Sequence, residues 1–268
     1  NVDDRIAVHG RGDCGLDDEF VCFDIETTGL KVDREAITEI GAVVLKNGEI
    51  CERFQTFVNP NRRLTPEIIG LTGITDEMLR GAPKLKDALT AFLAFAGDAP
   101  LAAHNAEFDI SFIRQKAKDQ GIETDFTVID TVALSRALLK DLKRYKLDTV
   151  AKKLGVSLEN HHRAVDDATA TAEIFVKLVD RLKEKEIDTL EKLNAFGVPD
   201  DDTIRKMPSY HAVILAKNET GRVNLYRLVS ESHLRFFNRR PKLPKSLYLE
   251  WSEGLMLSLI HISEPTRP

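Results

Sequence analysis

The stretch that most restricts the fold is "ITEIGAVVLKNGEICERFQTFV", residues 37–58. Two apolar, β-prone segments flank Asn47-Gly48, a dipeptide that favours a tight hairpin turn. A third apolar run, "FVCF" at 20–23, precedes them and opens a strand over 20–26. Three strands, at 20–26, about 37–45 and about 49–58, therefore form a meander. A helix is predicted near 65–80, with Thr65 as N-cap and Pro66 in the first turn, and another at 84–96. Strands at 100–105 and 127–131 then alternate with helices at 106–118, 132–140, 147–154 and 164–185. A meander followed by alternation predicts an α/β fold, a mixed five-stranded sheet flanked by helices.

The flanks read differently. Residues 1–18 are polar and are expected to be a linker. A second linker is expected at 187–208. Residues 209–250 are more basic, with one strand at 211–216 and one helix at about 221–234, too little to bury a core alone. Residues 258–268, "SLIHISEPTRP", resemble translated adaptor sequence and are expected to be foreign, the natural protein extending past both ends. The net charge of −5 offers no general attraction to nucleic acid, so such a partner must meet a local patch or metal ions. No apolar run approaches the ~18 residues of a membrane-spanning helix, and no signal peptide is visible, so no membrane partner is expected. Cys14, Cys22 and Cys51 lack metal-ligand spacing. Cys22 and Cys51 are expected to be buried thiols, which fits a reducing cytoplasm.

Three short motifs carry chemistry. In "FDIETTGL", 23–30, Asp24 and Glu26 lie two apart on a strand, share a face and can grip one ion. A strand ending in a polar turn reads the same way. In "HNAEFD", 104–109, a strand gives way to a helix with Asn105 as N-cap and Asp109 one turn in. Capping plus a first-turn acid that complements the helix dipole also explains it. In "HHRAVDDA", 161–168, His162 and Asp167 converge only if the histidine sits in the preceding loop and the aspartate in the first turn. His161 and Asp166 form the competing pair. Taken together, Asp24, Glu26, Asp109 and Asp167 are carboxylates on three separate elements. Their convergence would require divalent cations, and oxygen ligands suit Mg²⁺ or Mn²⁺. Two such ions serve in-line attack on a phosphodiester, with His162 as the base for the attacking water.

The three motifs, in this order, resemble those of the DEDDh (DnaQ-like) 3′–5′ exonucleases over roughly residues 20–185. The family pattern H-x-A-x-x-D-A selects His162 and Asp167 over the competing pair. The resemblance implies a ribonuclease H-like exonuclease fold. It implies that Asp24, Glu26, Asp109 and Asp167 bind two divalent ions, Mg²⁺ or Mn²⁺, and that His162 is the catalytic base. It also implies that Thr27, Thr28 and Leu30 contact the terminal nucleotide, and that His104, Asn105 and Phe108 line its other side. Ile74 of "LTGIT", 71–75, is expected to press on the terminal bases.

The segment from Tyr210 to Ser246 is similar to the part of the PHP domain that follows the inserted exonuclease in PolC-type bacterial DNA polymerase III α subunits. The resemblance thus implies an exonuclease domain at 19–186 and a truncated PHP segment at 209–257. The expected activity is proofreading removal of nucleoside 5′-monophosphates from single-stranded or frayed DNA 3′ ends. The rest of the polymerase and replisome would be partners, in a bacterial cytoplasm. A DEDDh nuclease for RNA trimming or DNA repair, or a non-catalytic replisome-binding module, are the alternatives. His211 and His233 match PHP metal-ligand types, but two histidines alone cannot hold a metal cluster.

Overall fold

The protein is described by a computed structural model, covering residues 6–8, 14–158, 163–197, 199–207, 209 and 211–258. The chain divides into two compact units, one ending at Phe196 and one beginning at Gly197.

The first unit is built on a mixed sheet. The three-strand meander forms as expected, from β2 (Phe20–Thr27), β3 (Ile37–Lys46) and β4 (Glu49–Phe57). Asn47 and Gly48 turn it with φ values of 51° and 79°, the positive pair such a hairpin needs. Strands β5 (Leu101–Ala103) and β6 (Val128–Asp130) add parallel to β2, giving the order β6-β5-β2-β3-β4. A sixth strand corrects the reading of residues 1–18 as a linker. β1 (Ala7–Val8) pairs antiparallel with β6, anchored by the wholly buried Ile6.

Alternation along β2 divides the core. Phe20 and Cys22 face one layer, with α5 (Thr131–Leu138), α6 (Leu147–Leu154) and α7 (Ala164–Lys183). Val21, Phe23 and Ile25 face the other, with α3 (Leu85–Ala96) and α4 (Ala106–Asp119). Buried on both faces, β2 can carry an unbroken apolar run. Cys22 is buried, which pushes its thiol up to about 12, whereas Cys51 is exposed. The expectation for Cys51 fails because β4 is the sheet's edge strand and is partly solvated.

The helix expected over 65–80 is two helices, α1 (Pro66–Thr72) and α2 (Asp76–Leu79). Gly73 stops the first at φ 69°, and Thr75 caps the second by accepting from the Met78 amide. Thr65 caps α1 as expected. The unit closes with α8 (Leu190–Phe196).

The second unit is richer than the linker-plus-fragment expectation. Within 187–208, α8 and α9 (Asp201–Lys206) are helical, α9 capped by Asp200 accepting from Thr203. Strand β7 (Val213–Ala216) pairs antiparallel with β8 (Leu255–Ser258), and α10 (Glu219–Leu234) packs against β7. With α11 (Lys245–Glu250), Ile204, Phe236, Met207 and Leu247 form a small cluster. Ser258 begins the tail expected to be foreign, and the remainder of that tail lies outside the described residues.

Candidate active site

The site lies where β5 stops short. β5 pairs with β2 at Val21 and Cys22, and beyond Cys22 that side of β2 has no strand neighbour among the described residues. The Ile25 amide instead donates to Asp109 Oδ1 of α4 at 3.3 Å. Asp24 and Glu26 alternate onto the α7 face of the sheet, the face of Phe20 and Cys22. Asp167 sits in the first turn of α7, where its amide donates to the Arg163 carbonyl at 3.0 Å. Carboxylate oxygens of Asp24, Glu26 and Asp167 all lie within 4.8 Å of one another. The structure thus brings together the carboxylates of two sequence motifs, with Asp109 reaching the backbone between the first two. His162, and with it His161, lies outside the described residues.

The electrostatics follow from that crowding. Burial, then Asp109, Asp167, Glu26 and Glu39, hold Asp24 well above the usual carboxylate range. Burial, Asp167 and Glu39 push Glu26 up to about 8, opposed by Arg163. Burial also raises Asp109, opposed by the Ile25 amide. Like charges at this spacing disfavour ionisation. A divalent cation would reverse the balance, and a set of donors that is all carboxylate fits a hard ion such as Mg²⁺ or Mn²⁺.

Three residues with no role in the sequence reading shape the site. Glu39 lies opposite Glu26 across the β2–β3 pair and is wholly buried. Its carboxylate accepts from Arg163 Nη2 at 3.0 Å, Gln55 Nε2 at 2.6 Å and the Ala164 amide at 3.3 Å, tying β3 and β4 to the start of α7. Gly41 lies opposite Asp24, and a Cβ there would stand 2.1 Å from the Val165 nitrogen. Only glycine lets α7 come this close. Asp130 Oδ1 accepts from the amides of Asn105, Ala106 and Val132, capping α4 and α5 together. The signals were present: a charge and a glycine inside the apolar run of β3, and an aspartate ending β6.

The nucleotide-contact expectations divide. Thr27 Oγ1 donates to the Gly29 carbonyl at 2.8 Å and Thr28 Oγ1 to Glu35 Oε2 at 2.6 Å, so both hydroxyls brace the turn after β2. Leu30 is 82% exposed. Phe108 is half-buried and packs on Phe112 at 5.1 Å. Asn105 sits at the N-cap in the left-handed region, but its side chain makes no capping bond, because Asp130 supplies the acceptor. His104 has both ring nitrogens engaged, Nε2 with the Tyr145 carbonyl and Nδ1 with Thr131 Oγ1, each at 2.9 Å. A carbonyl only accepts, so Nε2 carries the proton, and burial lowers the pKa toward that neutral form. Its ring polar atoms are therefore used within the protein. Ile74 is corrected outright. It is wholly buried against Leu64 and Leu79 and presents no surface, whereas Leu71 and Met78 beside it are exposed.

His211 and His233 belong to no group of three possible metal ligands among the described residues. His233 Nδ1 instead lies 2.8 Å from the Val229 carbonyl.

A carboxylate cluster where the end of a central strand meets the first turn of a helix is an arrangement that can hold a divalent cation. Comparison with known proteins gives the family. Residues 21–175, more than half of the chain, match the exonuclease family RNase_T. The chain belongs to this family and carries its exonuclease domain over those residues. It is 48% identical over 257 residues to the PolC-type DNA polymerase III of Caldanaerobacter subterraneus subsp. tengcongensis, covering 96% of this chain and 18% of that protein. The chain thus spans about a fifth of the length of that curated relative. Exonuclease X, solved with 5′-overhanging duplex DNA, superimposes with a TM-score of 0.53 at 26% identity, covering 66% of this chain and 99% of its own. The nuclease domain of 3′hExo, a DEDDh family member solved with rAMP, shares the fold at a TM-score of 0.55 and 22% identity, covering 61% and 92%.

Proposed function

We propose that this exonuclease domain removes nucleoside 5′-monophosphates from DNA 3′ ends as the proofreading activity of a PolC-type DNA polymerase III. The observation that carries the chemistry is the triad of carboxylates within 4.8 Å on β2 and α7. The similarity to PolC-type polymerases, over 96% of this chain, supports the setting.

Asp24, Glu26 and Asp167 would hold one divalent ion, Mg²⁺ or Mn²⁺, and Asp24 with Asp109 a second. Such a pair of ions, when bound, supplies Lewis acidity at the scissile phosphate and lowers the pKa of the attacking water. His162 would take the proton from a water whose oxygen attacks phosphorus; the bond to the 3′ oxygen breaks, the phosphate leaves on the nucleoside 5′-monophosphate, and the 3′ oxygen left on the strand takes a proton from solvent. Thr27, Thr28, Leu30, Asn105 and Phe108 flank the terminal nucleotide, and the Asp130 cap fixes the loop that carries Asn105. Mismatched ends are favoured because a frayed nucleotide enters without first losing pairing and stacking. The natural partners are the polymerase and replisome, with residues 209–257 as part of a PHP domain, in the bacterial cytoplasm.

The test is incubation with 5′-labelled single-stranded DNA, with Mg²⁺, Mn²⁺ or chelator, beside Asp24→Ala. A ladder shortening from the 3′ end, dependent on metal and absent in the variant, is expected. A folded protein that cleaves nothing under either metal would overturn the reading, and equal cleavage of RNA ends would overturn the DNA assignment.

A further inference from the structure

We infer that a cleft lined by Arg62, Arg63 and Arg80 holds the phosphodiester backbone of the substrate strand, 5′ of the nucleotide being removed. The inference rests on the exonuclease reading and assigns a path for the rest of the strand. A protein of net charge −5 needs a local positive surface to hold a polyanion. The cleft, about 310 Å³ in volume, opens where the chain leaves β4 and enters α1 and α2, and Asn59, Pro60, Asp76 and Leu79 complete its walls.

Its three guanidiniums are not equivalent. Arg62 is anchored, its Nη1 lying 3.4 Å from Glu35 Oε2 and its Nη2 donating to the Arg34 carbonyl. Arg63 and Arg80 are exposed, and their guanidiniums have no hydrogen-bond or ion-pair partner among the described residues. Asp76, the one acid among the described lining residues, already accepts from the Leu64 amide at 2.8 Å. Two unneutralised guanidiniums over a concave surface suit phosphate diesters, which guanidinium forks bind well.

Position links the cleft to the chemistry. Glu35, which holds Arg62, also accepts from Thr28 Oγ1, two residues beyond Glu26. One carboxylate therefore joins the cleft wall to the carboxylate motif. On the other side, Leu79 of the cleft wall belongs to the cluster that includes Phe57, and Phe57 lies under the Arg163 guanidinium at 5.5 Å. The register places Phe57 beside Glu39 and Glu39 beside Glu26. Phe57 thus stands at the same end of the sheet as the carboxylates, two strands from Glu26, about 10 Å at ordinary strand spacing, and the cleft lies beyond it where the chain leaves β4. A strand whose terminal phosphate lies at Glu26 reaches it with the nucleotides immediately upstream.

The experiment compares wild type, Arg63→Ala/Arg80→Ala and Arg63→Lys/Arg80→Lys. Binding of a fluorescein-labelled 20-nucleotide single strand is followed by anisotropy in chelator across a salt series, and hydrolysis of that strand and of a dinucleotide is followed in Mg²⁺. In the double alanine variant, binding should weaken roughly tenfold at moderate salt, and the salt slope should fall by about 1.4, the release expected for two phosphate contacts on a single strand. KM for the long strand should rise with kcat kept, and the dinucleotide, too short to reach the cleft, should be hydrolysed as by wild type. The double lysine variant should restore most of the slope. An unchanged slope and KM in the folded alanine variant overturns the inference. Absence of hydrolysis in wild type overturns the exonuclease reading instead, and the binding series still decides the cleft.

Discussion

Arg163 grips Glu39 with two nitrogens, Nη2 to Oε1 at 3.0 Å and Nε to Oε2 at 3.3 Å. The carboxylate is wholly buried and the guanidinium about a third exposed. Hydrogen bonding to Glu39 raises the Arg163 pKa further, so the guanidinium stays charged. Because the Arg163 carbonyl also accepts from the Asp167 amide, this clamp sets where α7 begins relative to β2.

Glu39→Ala should therefore cost about 2 kcal/mol of stability, since Arg163 and the Ala164 amide lose their acceptor. It should also weaken Mn²⁺ binding about 10- to 100-fold, the usual effect of losing a group that orients metal ligands. Urea denaturation and a calorimetric Mn²⁺ titration measure the two effects. A stability loss with Mn²⁺ affinity unchanged would mean that Glu39 braces the sheet and does not position Asp167.

Removing a ligand should have opposite effects on stability and catalysis. Asp24→Asn puts a neutral amide in place of an acid whose ionisation the buried, crowded cluster disfavours, so the metal-free protein should gain about 1 kcal/mol. Hydrolysis should fall at least ~1,000-fold, and the thermal stabilisation that Mg²⁺ or Mn²⁺ gives the wild type should vanish. Melting curves with and without metal, beside the oligonucleotide assay, check both halves.

The raised carboxylates predict an unusual pH profile. Glu26 keeps its proton in the folded state until about pH 8, whereas the unfolded chain releases it near the ordinary glutamate value of 4.5. Across that window the folded state binds more protons, so metal-free stability should fall as pH rises. Asp24 and Asp109 shift in the same direction and add to the trend. Saturating Mg²⁺ should flatten or reverse it, because the ion favours the charged forms. Denaturation midpoints between pH 5 and pH 8, in chelator and in Mg²⁺, would contradict this if the two series ran parallel.

Gly41→Ala is a geometric test. The added methyl would lie 2.1 Å from the Val165 nitrogen and 2.2 Å from the Ala164 carbonyl carbon, both backbone atoms. Backbone cannot rotate aside, so α7 must move off β3. The expected cost is about 2–3 kcal/mol, with a fall in kcat because Asp167 leaves the cluster. An active variant of wild-type stability would show that α7 tolerates displacement.

The sequence by itself determined which residue types could do chemistry and where the strands that carry them lie. Asp24 and Glu26 could be placed on one face because strand alternation is local, and Asn47-Gly48 announced its turn through positive φ. Motif resemblance then selected Asp167 over Asp166, which helical geometry alone left open. Only the tertiary structure decided what surrounds them. Glu39 looked like a misplaced charge inside an apolar strand until α7 brought Arg163 and the Ala164 amide to it from 124 and 125 residues away. Asp130 caps two helices because β6 lies beside β5, and Ile74 disappears into a cluster because Gly73 splits one expected helix into two. Periodicity and turn chemistry act over a few neighbours and are written in the chain. Burial, charge pairing and close approach depend on which distant segments meet, and that is settled only when the sheet and α7 pack.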